Sequence, residues 1–99
     1  MKRLARRASL VVALLLLASV GTASAMDTKA AGRCVALGAL SQDYQAKAEA
    51  ILDAANRTGH RALVNQRVKE EFAFLASKKG DKAATDAWAT QAVFACRQF

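Results

Sequence analysis

The sequence contains no proline, the residue that breaks helices most strongly, and it has only five glycines in 99 residues. It is rich in alanine, the residue with the highest helix propensity. Nothing therefore interrupts helix formation over long stretches, and much favours it. This composition predicts an all-α fold.

Residues that carry chemistry are also scarce, because the chain has one histidine and two cysteines. Its single histidine, His60, lies in a predicted turn, so neither a zinc site nor a cysteine–histidine pair is expected. Glu70 and Glu71 point about 100° apart on a helix, which is poor geometry for shared acid and base catalysis. No phosphate-binding loop and no nucleophile motif is present. We expect no enzymatic activity and no cofactor.

The first 25 residues have the pattern of a cleavable signal peptide. A basic segment with Lys2, Arg3, Arg6 and Arg7 precedes an apolar stretch from Ala8 to Val20. Small residues follow at positions 23–25, so cleavage is predicted between Ala25 and Met26. The apolar stretch is shorter than the roughly 20 residues that span a membrane. We expect export to a bacterial periplasm, with secretion as the alternative, and no stable membrane anchor after cleavage.

The mature domain, residues 26–99, is much less basic than the whole chain. The formal net charge of the chain is +7, but four basic residues lie in the signal segment, which leaves eleven basic and eight acidic residues and a net charge of +3. No nucleic-acid partner is expected. The one tight basic cluster is Lys78, Lys79 and Lys82, which fits a solvated turn or a patch for an anionic partner.

Apolar residues at helical spacing predict a small bundle of three helices in a single domain. The first covers Asp27 to Arg57 as one long helix or two collinear ones, and Gly38 to Asp43 is its weak point. The second covers Arg61 to Lys78, and the third covers Lys82 to Arg97. Their apolar sides comprise Cys34, Leu37, Leu40, Ser41, Tyr44, Ala48, Ile51, Leu52 and Ala55, then Val64, Val68, Phe72 and Leu75, then Ala84, Trp88, Ala92, Ala95, Cys96 and Phe99.

Polar residues support these boundaries. Asp27 or Thr28 can cap the first helix and Asp81 the third. Acid-before-base pairs at i,i+4 are expected for Asp43 with Lys47 and for Asp53 with Arg57. Glu71 lies near the middle of the second apolar stripe, where we expect it to be salt-bridged or at the edge of the core.

Cys34 and Cys96 are predicted to form a disulfide, since exported domains of this size usually contain a covalent crosslink. A straight three-helix bundle contradicts this pairing, because it places the two cysteines at opposite ends, whereas bridged Cα atoms lie within about 7 Å. A break near Gly38 to Asp43, giving four segments, removes the conflict, and so does a steep crossing of the last helix. An intermolecular disulfide and a pair of buried free thiols are the remaining alternatives, and the oligomeric state stays open.

These features predict a small exported protein that binds another protein of unknown identity. In size, export signal and cysteine count the chain also resembles the small, all-helical, single-disulfide acid-stress chaperones of the bacterial periplasm. That resemblance implies an alternative function, in which apolar helix faces become exposed in acid. It assigns no role to particular residues.

Overall fold

A computed structural model of the protein describes residues 26–99, which form four α-helices and a short 3-10 turn. The helices are α1 (Thr28–Leu40), α2 (Gln45–Thr58), α3 (Arg61–Ser77) and α4 (Lys82–Cys96), and the turn (Gln42–Tyr44) lies between α1 and α2. The all-α fold is thereby confirmed. The predicted signal peptide, including Ala25, lies outside the described residues.

The predicted first helix is broken at Ser41, whose φ of −139° and ψ of 124° are extended. Gly38 on α1 lies against Ala48 on α2, so these two helices pack side by side and are not collinear. The four-segment alternative is therefore right, and the single long helix is wrong. The pair expected between Asp43 and Lys47 is also absent from the ion pairs of this segment, because Asp43 belongs to the 3-10 turn.

The helix ends follow the capping residues of the sequence. The carboxylate of Asp27 accepts a hydrogen bond from the Ala30 N–H at 3.1 Å, and Asp81 accepts one from the Ala84 N–H at 3.0 Å. Gly59 ends α2 with a φ of 77°, a left-handed conformation that other residues rarely adopt. Both predicted caps are thus confirmed.

Helix α1 lies at the centre of the domain and packs against the other three helices. Gly32 allows α3 to approach closely, since a Cβ atom at this position would overlap the Cβ atom of Arg67. The buried core is built mainly from small residues. It comprises Ala31, Cys34, Val35, Ala36, Leu37, Ala48, Ile51, Ala55, Val64, Trp88, Ala92 and Cys96.

Cys34 in α1 and Cys96 at the end of α4 form the predicted disulfide, with their Cα atoms 4.9 Å apart. The bridge is buried, because the two cysteines are 0% and 1% exposed. Since α1 ends at Leu40, α2 folds back along it and α4 can reach the centre of the domain. The chain break thus resolves the conflict between the disulfide and a straight bundle.

Three large residues expected on the apolar sides are exposed in the structure. Leu40 is 60% exposed because it is the last residue of α1, just before the break. Phe99 is 40% exposed because it lies beyond the end of α4. Phe72 is 37% exposed, and the residues of α3 on either side of it are not fully buried either. The helical period predicted an apolar side, whereas the lengths of the neighbouring helices decided how much of it is covered.

Candidate functional site

The clearest concave feature of the described residues is a cleft between the first half of α1 and the second half of α4. Its volume is about 460 Å³, and it is open to solvent on one side. This volume lies in the range typical of ligand-binding clefts. The lining residues are Asp27, Lys29, Ala30, Arg33, Gln91, Phe94, Ala95 and Gln98.

Helical spacing explains why these side chains meet. Residues three and four apart share one face of a helix, and this spacing holds for Gln91, Phe94 and Ala95 of α4 and for Gln98 in the turn just after it. The lining residues of α1 follow the same rule. The cleft therefore lies between one face of α1 and one face of α4, next to the disulfide-bonded positions.

The apolar part of the cleft consists of two alanines and one phenylalanine. Ala30 and Ala95 are buried, at 7% and 8% exposure. Phe94 is 59% exposed, although phenylalanine is usually among the most buried residues. The guanidinium of Arg97 lies over the Phe94 ring, 4.6 Å from its centroid, which is a cation–π distance. An aromatic ring is thus held at the cleft with one cation beside it.

The polar part of the cleft centres on Arg33. Its Nε donates to the Glu71 carboxylate on α3, and its Nη1 donates to Gln91 Oε1 on α4 at 3.3 Å. The two side chains of the ion pair are 24% and 12% exposed, so Glu71 is the salt-bridged residue that the sequence predicts. Arg33 thereby connects α1, α3 and α4, and these contacts restrict its position at the cleft wall.

The disulfide stabilises this part of the fold. Cys34 directly follows Arg33, and Cys96 directly follows Ala95. Lys47 of α2 donates from Nζ to the Cys96 carbonyl at 3.2 Å, where a cation is favoured at the end of a helix. Both walls of the cleft are therefore adjacent to crosslinked positions, which limits their relative motion.

The predicted lysine cluster lies apart from the cleft, in the turn between α3 and α4. Lys78, Lys79 and Lys82 are all exposed. Lys82 donates from Nζ to Asp86 at 2.6 Å, and this hydrogen bond and charge raise the pKa of Lys82 above its usual value. Asp81 caps α4 in the same turn. Two carboxylates thus lie among the three lysines and reduce the positive charge that a partner would meet there.

His60 and Trp88, which the sequence also raises as candidates, have contacts that fit structural roles. His60 precedes α3, and its Nδ1 lies 2.7 Å from Thr58 Oγ1. Trp88 is 5% exposed and belongs to the same buried cluster as the disulfide. Its indole N–H has no hydrogen-bond partner among the described residues. Within residues 26–99 no group of three metal-binding side chains comes together.

Sequence reasoning did not identify the cleft. It did not single out Phe94, Gln91 or Arg33, since none belongs to a motif. One signal was available, because Phe94 lies about 120° around α4 from Trp88, away from the predicted core side. A large aromatic residue off the apolar stripe marks a surface that something else can cover.

In comparisons with known proteins, no family model, no curated protein and no solved structure matches the chain. Among residues 26–99, no helix has the length and apolar character needed to cross a membrane. What can be inferred about function therefore rests on the cleft, the charges around it and the sequence pattern of residues 1–25.

Proposed function

We propose that this chain is a small exported, non-catalytic protein that binds another protein through the cleft between α1 and α4. One observation carries the proposal. Phe94 is 59% exposed, and it lines the cleft beside a crosslinked core. Phenylalanine and arginine are both enriched in protein interfaces relative to the rest of the protein surface.

The rigidity of the cleft supports a binding role. Binding loses less conformational entropy when the contact surface is already ordered. Here Arg33 is held by Glu71 and Gln91, while the disulfide joins α1 to α4. Export supports the same role, since the signal-like residues 1–25 direct the domain to a compartment in which the disulfide persists.

The proposal can be tested by site-specific photo-crosslinking in the cells that produce the protein. A photoreactive phenylalanine analogue replaces Phe94 in one variant and Asn56 in another. Asn56 is exposed on α2 and does not line the cleft, so it is the matched control. We expect one dominant adduct from position 94 and none from position 56.

A third photoreactive variant, at Leu63, separates the cleft from the exposed apolar side chains of α3. Leu63 is 55% exposed, close to the exposure of Phe94. An adduct from position 63 but not from position 94 would move the contact surface to α3 and contradict the proposal. Equal labelling at positions 56 and 94 would indicate random collisions and would also contradict it.

A second candidate function is that of an acid-activated chaperone. The observation in its favour is that Leu63, Phe72 and Phe74 on α3 are all between 37% and 55% exposed. If acid weakens the attachment of α3 to α1, this apolar surface becomes larger. The chaperone should then bind ANS and suppress aggregation of a denatured client near pH 2.5. Absence of dye binding with unchanged near-ultraviolet circular dichroism at that pH would exclude this candidate.

A further inference from the structure

The cleft between α1 and α4 contains more hydrogen-bond donors than its own residues satisfy, and this imbalance indicates its ligand. We infer that the cleft binds a segment of a partner protein in which a carboxylate lies next to an apolar side chain. This inference rests on the proposed function and specifies the chemistry of the partner.

Arg33 supplies more hydrogen-bond donors than any other described residue of the cleft, because its guanidinium carries five N–H groups. Within the described residues, one N–H on Nε is used by Glu71 and one on Nη1 by Gln91. Gln91 accepts through its oxygen, which leaves its amide NH₂ as a donor. Lys29 adds an ammonium group to the same lining. A ligand that supplies acceptors therefore complements these groups.

The acceptors of the cleft are fewer. Asp27 is the one acidic residue among the described residues that line the cleft, and its Oδ1 accepts from the Ala30 N–H as the cap of α1. Glu71 beside the cleft pairs with Arg33, so two carboxylates face three cations, the third being Arg97, which lies over the Phe94 ring. Charge complementarity thus favours an anionic ligand over a cationic one. A carboxylate fits best, because it accepts hydrogen bonds from guanidinium and ammonium groups together.

Ala30, Phe94 and Ala95 form an apolar surface in the cleft, and we infer the apolar part of the ligand from them. The alanines form a shallow floor, and the phenyl ring forms one wall. An apolar side chain placed there is removed from water, which stabilises binding in proportion to the apolar area that becomes buried. A carboxylate alone would leave this surface uncovered, so the ligand needs both parts.

The open shape of the cleft distinguishes a protein segment from a free amphiphile. Small-molecule sites usually enclose most of the ligand surface. This cleft of about 460 Å³ is open along one side, so it can receive two or three residues of a chain that continues past it. A segment of a partner protein is accordingly the occupant that the shape favours.

The experiment uses the disulfide-bonded, exported protein labelled with ¹⁵N, and it follows amide chemical shifts during titration. The probes are blocked peptides that contain Phe-Glu, Phe-Gln or Ser-Glu, together with octanoate as a free amphiphile. We expect the Phe-Glu peptide to bind most tightly and to shift the side-chain amides of Gln91 and Gln98. An exposed ion pair contributes roughly 1 kcal/mol, so replacing glutamate by glutamine should raise Kd about fivefold.

Two lysine variants provide a matched comparison. Lys29→Gln removes a cation from the cleft and should raise the Kd of the Phe-Glu peptide about fivefold at low salt, and less at high salt. Lys79→Gln removes a cation of equal charge from the α3–α4 turn and should leave that Kd unchanged. Unfolding followed by Trp88 fluorescence checks that both variants are folded.

Several results would overturn the inference. Equal Kd values for the Phe-Glu and Phe-Gln peptides would show that the cleft does not recognise a carboxylate. Tighter binding of octanoate than of the Phe-Glu peptide would show that the ligand is a free amphiphile and not a protein segment. Shifts confined to α2 or α3 would place the site elsewhere. Photo-crosslinking at position 94 is read separately, so a protein partner found there with no carboxylate preference rejects this inference and retains the proposed function.

Discussion

Arg33 on α1 forms an ion pair with Glu71 on α3, 38 residues further along the chain. The pair is largely removed from solvent, with side-chain exposures of 24% and 12%. Because the same guanidinium also reaches Gln91 on α4, it connects three helices at one wall of the cleft. The stability of this corner of the domain and the shape of the cleft therefore depend on the same contacts.

Replacement of Glu71 by glutamine should lower the free energy of unfolding by about 1–2 kcal/mol, because a charge-assisted hydrogen bond becomes a neutral one. Glu70 provides the matched control. It pairs with Arg67 on the surface at 2.9 Å with both side chains more than 40% exposed, so Glu70→Gln should cost less than about 0.5 kcal/mol. Urea unfolding at pH 7 measures both variants. Equal effects would show that the Arg33–Glu71 contact does not stabilise the fold.

Removal of the disulfide should leave most of the protein unfolded at 25 °C. A crosslink that spans 62 residues contributes about 4 kcal/mol in the chain-entropy model, close to the whole stability of a domain this small. The measurement is urea unfolding of the protein, with and without reductant, and of the double variant Cys34→Ser with Cys96→Ser. Reductant should not affect the double variant. An unchanged unfolding midpoint in the reduced protein would contradict this prediction.

Gly38→Ala should destabilise the domain by about 1–3 kcal/mol, even though alanine favours helix over glycine by about 1 kcal/mol. The reason is that the added methyl group would overlap the Ala48 side chain and approach the Tyr44 carbonyl oxygen at 2.9 Å. Asn56→Ala, at an exposed helix position, is the control and should be neutral or slightly stabilising. A stabilising effect of Gly38→Ala in thermal unfolding would show that α1 and α2 are not packed this closely.

Export, cleavage and the pairing of the two cysteines can be tested by the intact mass of protein purified from the periplasmic fraction. We expect a chain that begins at Met26, with a mass two hydrogens below that of the reduced form, and a monomer in size-exclusion chromatography. A chain that retains residues 1–25 would contradict cleavage. A disulfide-linked dimer that separates on reduction would contradict the internal bridge.

Much of the helical framework could be predicted from the residues. Asp27 and Asp81 cap α1 and α4 because a short carboxylate before a helix accepts from its free N–H groups. The pairing of Asp53 with Arg57 follows from i,i+4 spacing in the same way. These interactions lie within one turn of helix, so local sequence contains all the information they need.

The exposures of Leu40 and Phe72 could not be predicted in this way. Helical periodicity shows which residues share a side, and it placed Leu40 and Phe72 with the core. Whether a side is covered depends on where the neighbouring helix ends, which is set by contacts between residues distant in sequence. The cleft could not be predicted for the same reason, because its two walls come from opposite ends of the described chain and only long-range contacts bring them together.

The sequence by itself determined that the domain is helical and where its capped helices begin, and it predicted the Cys34–Cys96 pairing without excluding an intermolecular disulfide. Tertiary structure alone decided that the chain breaks at Ser41, that α1 is shared by three neighbours, and that a cleft lined by Phe94 lies between α1 and α4. The physical reason is the range of the interactions. Capping and helix propensity act within a few residues, whereas close packing at Gly32 and Gly38 depends on partners that only the folded chain brings into contact.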